Sequence, residues 1–246
     1  MASIDQTIHI EGKEVPFKIF VERRNSVRVS FGKTAINLRM PSSLSIAAKE
    51  EHYKKAVEWV RKRALKNPSV LLPYEIEDYD VKRSIFIYDR ELGLHIEYQK
   101  RKTGRGDYDP KTEAICLTIP HDIKGTDKNK MIKQLLSRVC AQLFLPDISK
   151  KVYEINDKCF HKDIKSVNLK YNSSNWGSCS SAKNVNLSTR LLFAPKDVID
   201  YVIIHELAHL YEMNHSKKFW DIVSQVMPNY KEKEKWLSKN GRLCDF

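Results

Sequence analysis

Residues 205–215 read HELAHLYEMNH, and their spacing organises the C-terminal half of this 246-residue chain. On an α-helix, residues four apart share a face, so His205 and His209 point the same way and both rings reach one metal ion. Glu206 lies at the edge of that face, where it meets a metal-held water without ligating the metal. Asn214, a residue tolerant of the left-handed conformation that ends many helices, lets the chain turn back and bring His215 up as a third imidazole. The apolar run Tyr201-Val202-Ile203-Ile204, with Pro195 and Asp197 as helix-start chemistry, predicts a half-buried helix beginning at Pro195.

Three neutral imidazoles with one open position suit zinc, with iron, manganese or nickel as alternatives, and no cysteine is near enough in sequence to compel a closed site. Such a ligand set leaves the dipositive charge on the ion and draws the pKa of a bound water from 15.7 toward about 7. Glu206 is then placed to take its proton and return it to a leaving group, so hydrolysis of a carbonyl or phosphoryl centre is implied.

Around this motif the chain resembles the YgjP-like zinc metallopeptidases, which are related to WLM and SprT-like proteases. The resemblance spans Trp176 to Gly241 and rests on WGSCS at 176–180, APKDVIDYVIIHELAHL at 194–210, NHSKKFW at 214–220 and MPNY at 227–230. Weaker echoes are RRNSVRVSF at 23–31 and MPSS at 40–43, while Asn172-Ser173-Ser174-Asn175 stands where the family carries basic residues. The resemblance implies a peptide or protein substrate, zinc held by His205, His209 and His215, and Glu206 as the base. It also implies a zincin-like catalytic domain over 125–246, in which the HExxH helix packs on a small sheet.

The whole chain is expected to be α+β, with residues 1–124 a mainly β region carrying one helix. Phe17, Ile19 and Val21, then Val27, Val29 and Phe31, then Ile36, Leu38 and Met40 alternate with polar residues and predict a three-stranded antiparallel meander with turns near Asn25 and Gly32. Ser42 or Ser43 is placed to cap a helix from about Leu44 to Lys66, with Val57, Trp59 and Val60 packing inward and Asn67-Pro68 ending it. Ser84–Tyr88 and Leu94–Tyr98 read as a hairpin, Ala114–Ile119 as a third strand, and Lys102–Pro110 as an exposed loop. The segment 128–159 is helical in pattern, with Pro146 marking a break or kink. Then come a strand at Ile164–Tyr171, the WGSCS turn and a strand at Val185–Phe193; Asn184–Ser188, at the start of that strand, is the candidate edge that receives an extended peptide. Ser216 caps a further helix bearing Phe219, Trp220, Val223 and Val226, and Trp236 anchors the last one.

Five cysteines, Cys116, Cys140, Cys159, Cys179 and Cys244, lie at scattered spacings without CxxC, which argues for reduced thiols. The absence of a long apolar run or a secretory pattern predicts a cytoplasmic protein without a membrane span. A balance of 43 Lys and Arg against 31 Asp and Glu gives net +12, a surface that attracts anions. The basic residues gather at Arg23, Arg24, Arg28, Lys33 and Arg39, at Arg61-Lys62-Arg63, and at Lys100-Arg101-Lys102 with Arg105. Three functions from different classes follow: a zinc peptidase; a metal-dependent nucleoside triphosphate pyrophosphatase or phosphohydrolase, its nucleotide or nucleic acid partner held by the basic surface; and a nucleic-acid-associated protein, either a DNA-associated protease that cuts partners bound on DNA or one whose metal is structural. Tyr211, Arg190 and Asn175 are all open as oxyanion stabilisers.

Overall fold

The computed structural model describes residues 3–32, 34–74 and 79–246, so Lys33 of the first basic group lies outside it. Two compact units divide at Glu77 and Asp78.

The first unit is a four-stranded sheet and one helix. Strands β1 (Ser3–Ile10) and β2 (Lys13–Glu22) form an antiparallel hairpin across Glu11 and Gly12, whose φ values of 51° and 77° are those of a two-residue turn matched to strand twist. β3 (Arg28–Phe31) and β4 (Ile36–Pro41) complete the order β1-β2-β4-β3. The expected meander is therefore corrected in two ways: β4 inserts between β2 and β3, running parallel to β2, and β1 adds a fourth strand. Burial accounts for the order, since Ile36, Leu38 and Met40 of β4 are all enclosed and favour a central place, whereas four-residue β3 takes the edge.

Helix α1 (Ile46–Lys66) is capped by Ser45, whose Oγ accepts from the Ala48 N–H at 3.2 Å, two or three residues later than expected. It lays Ala56, Val60 and Ala64 on the sheet, small side chains that let backbones approach, while Trp59 is 44% exposed and only leans on Phe31. Of the basic residues, Arg24 and Arg39 both pair with Glu22, and Arg61 and Lys62 with Glu58. Part of the expected patch is neutralised locally.

The second unit opens on the same topology. β5 (Ser84–Ile87), β6 (Arg90–Gln99), β7 (Arg105–Asp109) and β8 (Ala114–Pro120) form a sheet of order β5-β6-β8-β7, with β6 and β8 parallel. Each unit thus runs hairpin, edge strand, central strand, long helix. β7 occupies the segment expected as an exposed loop; its RGDYD sequence lacks apolar alternation, but Gly106 lets it lie against Leu117 and Val139, where a Cβ would come within 2.9 Å of both side chains.

Helix α2 (Gly125–Ile155) runs unbroken through Pro146, contrary to the expected break. Phe144, Ile148 and Val152 continue one buried stripe across it, and Pro146 and Gln142 are exposed, so water reaches the carbonyl that proline leaves without a donor. The third sheet, β9 (Ser166–Lys170), β10 (Gly177–Cys179) and β11 (Asn184–Ser188), has order β10-β11-β9. Helices α3 (Lys196–Ala208), α4 (Lys217–Val226) and α5 (Tyr230–Asn240) follow, and α3 packs on β10 and β11. One core joins Ile85, Leu94 and Leu117 to Leu136, Phe144, Leu187, Ile203 and Phe219. That continuity puts the second sheet with the C-terminal helices and moves the boundary from the expected 124/125 to 77/78. No helix among the described residues is long and apolar enough to cross a membrane.

Candidate metal centre

Helix α3 is buried on nearly every side through Val198, Ile199, Val202, Ile203, Ile204, Leu207 and Ala208, a pattern that fixes its rotation and axial position. Asp197 in its first turn favours the positive helix end and pairs with Lys233 of α5 at 2.6 Å. His205 and His209 leave the last turn on one face. The chain then reverses through 210–216 without a positive φ at Asn214, contrary to the expected left-handed turn; the Ser216 N–H instead closes on the Asn214 carbonyl at 2.8 Å. Ser216 caps α4 as expected, its Oγ accepting from the Phe219 N–H.

The result is a convergence of His205, His209 and His215, with one ring nitrogen of each within 4.8 Å of the others. His205 Nε2 and His215 Nε2 face each other at 2.9 Å. The His209 Nδ1–H donates to the Glu212 carbonyl at 3.1 Å, the outer contact that fixes a tautomer and leaves Nε2 as the electron-pair donor. Burial, helped by the neighbouring rings, pulls His205 down to about 4 and lowers His209, so both stay neutral at physiological pH. Neutral nitrogen donors at this spacing fit a zinc-sized ion. Phe219, fully buried, lies 4.6–4.9 Å from all three ring centroids, and Trp220 flanks His205 and His215. These two residues, expected as packing, are also the bed on which the imidazoles rest.

Glu206 is 4% exposed. Burial pushes its carboxyl up to about 8, and the Cys179 backbone N–H opposes that by donating to it; Oε2 has no partner. Its closeness to β10 depends on Gly177, where a Cβ would stand 2.6 Å from Glu206 Oε1 and 2.8 Å from Cγ. A glycine inside a strand is the sequence signal for such an approach. Gly177→Ala is expected to fold, because the carboxylate can swing aside, yet to lose about 100-fold in kcat/KM, the scale of a displacement near 1 Å; an unchanged rate with unchanged melting would contradict this contact.

β11 is hydrogen-bonded on both sides, so the expected edge at Asn184–Ser188 is corrected: the edges are β9 and β10, and β10 is the one that borders the cleft over the histidines. Val185 and Leu187 are fully enclosed and take the centre, leaving the short polar Gly-Ser-Cys segment outside. The Ser188 N–H bonds the Trp176 carbonyl and the Ser180 N–H the Asn184 carbonyl, which by antiparallel alternation turns the peptide groups of Gly177 and Cys179 away from β11.

A cleft of about 640 Å³ opens over the histidines, bounded by residues 174–179, Tyr201, Val202 and Met213, and by Glu234, Leu237 and Ser238 of α5. Glu206 and Glu234 supply its carboxyl groups, and no Lys or Arg among the described residues lines it. Burial, then the Glu234 charge, pushes Tyr201 up to about 12. Cys179 is held up to about 11 by burial and stays a thiol.

Of the three oxyanion candidates, Asn175 lines the cleft. Tyr211 does not serve, since its hydroxyl donates to the Phe160 carbonyl at 2.6 Å. Arg190 is likewise engaged, donating to the carbonyls of Cys244 (2.8 Å), Gly241 (2.5 Å) and Ser173 (3.3 Å) while lying 4.4 Å over the Trp176 ring. It clamps the C-terminal segment and the wall residue Trp176. Arg190→Ala is expected to cost about 3 kcal/mol, since charge-assisted hydrogen bonds contribute roughly 1.5–3 kcal/mol each and do not add fully. Thermal denaturation should show a fall of roughly 6–12 °C; an unchanged midpoint with a slower reaction would restore a role at the substrate.

Part of the chain is similar to two solved structures. The metallopeptidase zymogen of Pyrococcus abyssi abylysin is 23% identical, over 37% of this chain and 93% of its own, with a TM-score of 0.34. That of Methanocaldococcus jannaschii jannalysin is 22% identical, over 37% and 94%, with a TM-score of 0.34. No curated protein matches the chain. The model of the YgjP-like metallopeptidase domain matches residues 23–240, a span that takes in the three histidines, Glu206, β10 and the cleft, and the chain belongs to that family.

Proposed function

We propose that this metallopeptidase uses zinc, held by His205, His209 and His215, to hydrolyse peptide bonds of an extended peptide or protein segment, with Glu206 as general base. The observation that carries the reading is the placement of Glu206, buried beside three converging imidazoles with Oε2 unpartnered among the described residues. When bound there, zinc supplies Lewis acidity and lowers the pKa of water toward about 7. The chain's own groups do the rest. In its ionised form, which a bound dication would favour over the raised value of the metal-free site, Glu206 accepts at Oε2 the proton of the attacking water and passes it to the departing amine. Gly177 offers its outward N–H and C=O to the peptide backbone, adding a strand to β10 and laying the scissile carbonyl over the histidines. Phe219 keeps the three rings in register.

A phosphate-bearing substrate is disfavoured by the lining, because a triphosphate would meet Glu234 and, among the described residues, no Lys or Arg. The test is a mixed peptide library and a panel of nucleoside triphosphates, each incubated with zinc-loaded protein and read by mass spectrometry. Cut peptides with intact triphosphates are expected; the reverse would make the basic surface part of the site and remove the peptidase reading.

A further inference from the structure

The cleft has a second acidic wall that the hydrolytic chemistry does not use. On α5, Glu234, Leu237 and Ser238 share one face, at spacings of three and four, and all three border the cleft. Trp176, Tyr201 and Val202 line the same cleft. Tyr201 continues into a stack with Tyr230, which in turn lies 5.2 Å from Trp220 with its ring nearly parallel. Glu234 has no ion-pair partner among the described residues, although the chain carries 43 Lys and Arg and its neighbour Lys233 is held by Asp197. Glu234 is exposed and borders the cleft that Tyr201 also lines, near enough for its charge to help raise that phenol. A carboxylate left unpaired beside aromatic and aliphatic walls matches one chemistry well: a cation on an apolar stem, whose methylenes lie on the walls while the charge meets the acid.

We infer that Glu234 forms a substrate subsite for a cationic group of the peptide, a Lys or Arg side chain or a free terminal amine. The inference rests on the peptidase reading of the same cleft. Complementary charge at a partly solvated rim gives modest affinity and clear selectivity, so peptides carrying the cation at one position should bind about fivefold better than those carrying norleucine there. Acidic residues at that position should be disfavoured.

The test uses the zinc-loaded Glu206→Gln protein, which leaves peptides uncut, and fluorescent peptides bearing Lys, Arg, norleucine or Glu at successive positions, with and without N-acetylation. Expected is a Lys or Arg preference that disappears in Glu206→Gln/Glu234→Gln and turns toward Glu in Glu206→Gln/Glu234→Lys. A preference confined to non-acetylated peptides assigns the site to the terminal amine. The same preference with and without Glu234, or none at all, overturns the inference. Cleavage by the Glu206-intact protein separates the two claims: a Glu234-dependent binding preference without cleavage keeps the subsite and removes the peptidase reading, whereas cleavage with a Glu234-independent preference does the opposite.

Discussion

Glu206→Gln is expected to lower peptide hydrolysis by at least about 100-fold, the lower scale for removing a general base, while leaving zinc content unchanged. The amide has nearly the same volume, so it fills the space above Gly177 and still accepts from the Cys179 N–H through its oxygen. What it lacks is an oxygen able to take a proton. Metal content should hold because the three converging donors are ring nitrogens and the carboxylate is not among them. Metal analysis beside steady-state rates checks both halves: a full rate in the variant would remove Glu206 from the mechanism, and loss of metal would make it part of the binding set.

His215→Ala should have the opposite signature. His205 and His209 share the end of one helix, whereas His215 arrives from the far side of the chain reversal and is exposed, so its removal opens the cluster without disturbing α3. Two neutral nitrogens remain. Loss of a direct ligand should weaken zinc retention by more than about 100-fold, exceeding the 10- to 100-fold typical of an outer contact, with activity falling in parallel. Competition with a zinc-binding dye measures it. Retention equal to wild type would show that the third donor lies elsewhere.

These two residues were legible in the sequence because their information is local: the i, i+4 spacing places two rings, and a short return segment capped by Ser216 brings the third. The elements with strong alternation or helical stripes were legible for the same reason. Pairing order was not. Alternation says that β2, β3 and β4 are strands, but which becomes central depends on burial competition among them, and the parallel β2–β4 contact has no local signal. β7 was hidden because its packing rests on Gly106 and a helix some thirty residues away. Pro146 misled because its cost depends on exposure, which one sequence does not reveal. Around the site, Gly177 against Glu206, Arg190 against the C-terminal carbonyls, and Glu234 in one cleft with Tyr201 are all long-range meetings. Each residue looked ordinary in place, and only the fold gives it a neighbour.

The most direct test of the account is a zinc titration of metal-stripped protein in which peptide cleavage is read at every addition, for wild type and Glu206→Gln in parallel. The account predicts wild-type cleavage that rises in proportion to zinc and levels at one equivalent, with the variant binding the same equivalent and staying near background. Cleavage that ignores zinc, or that rises equally in both proteins, would contradict it.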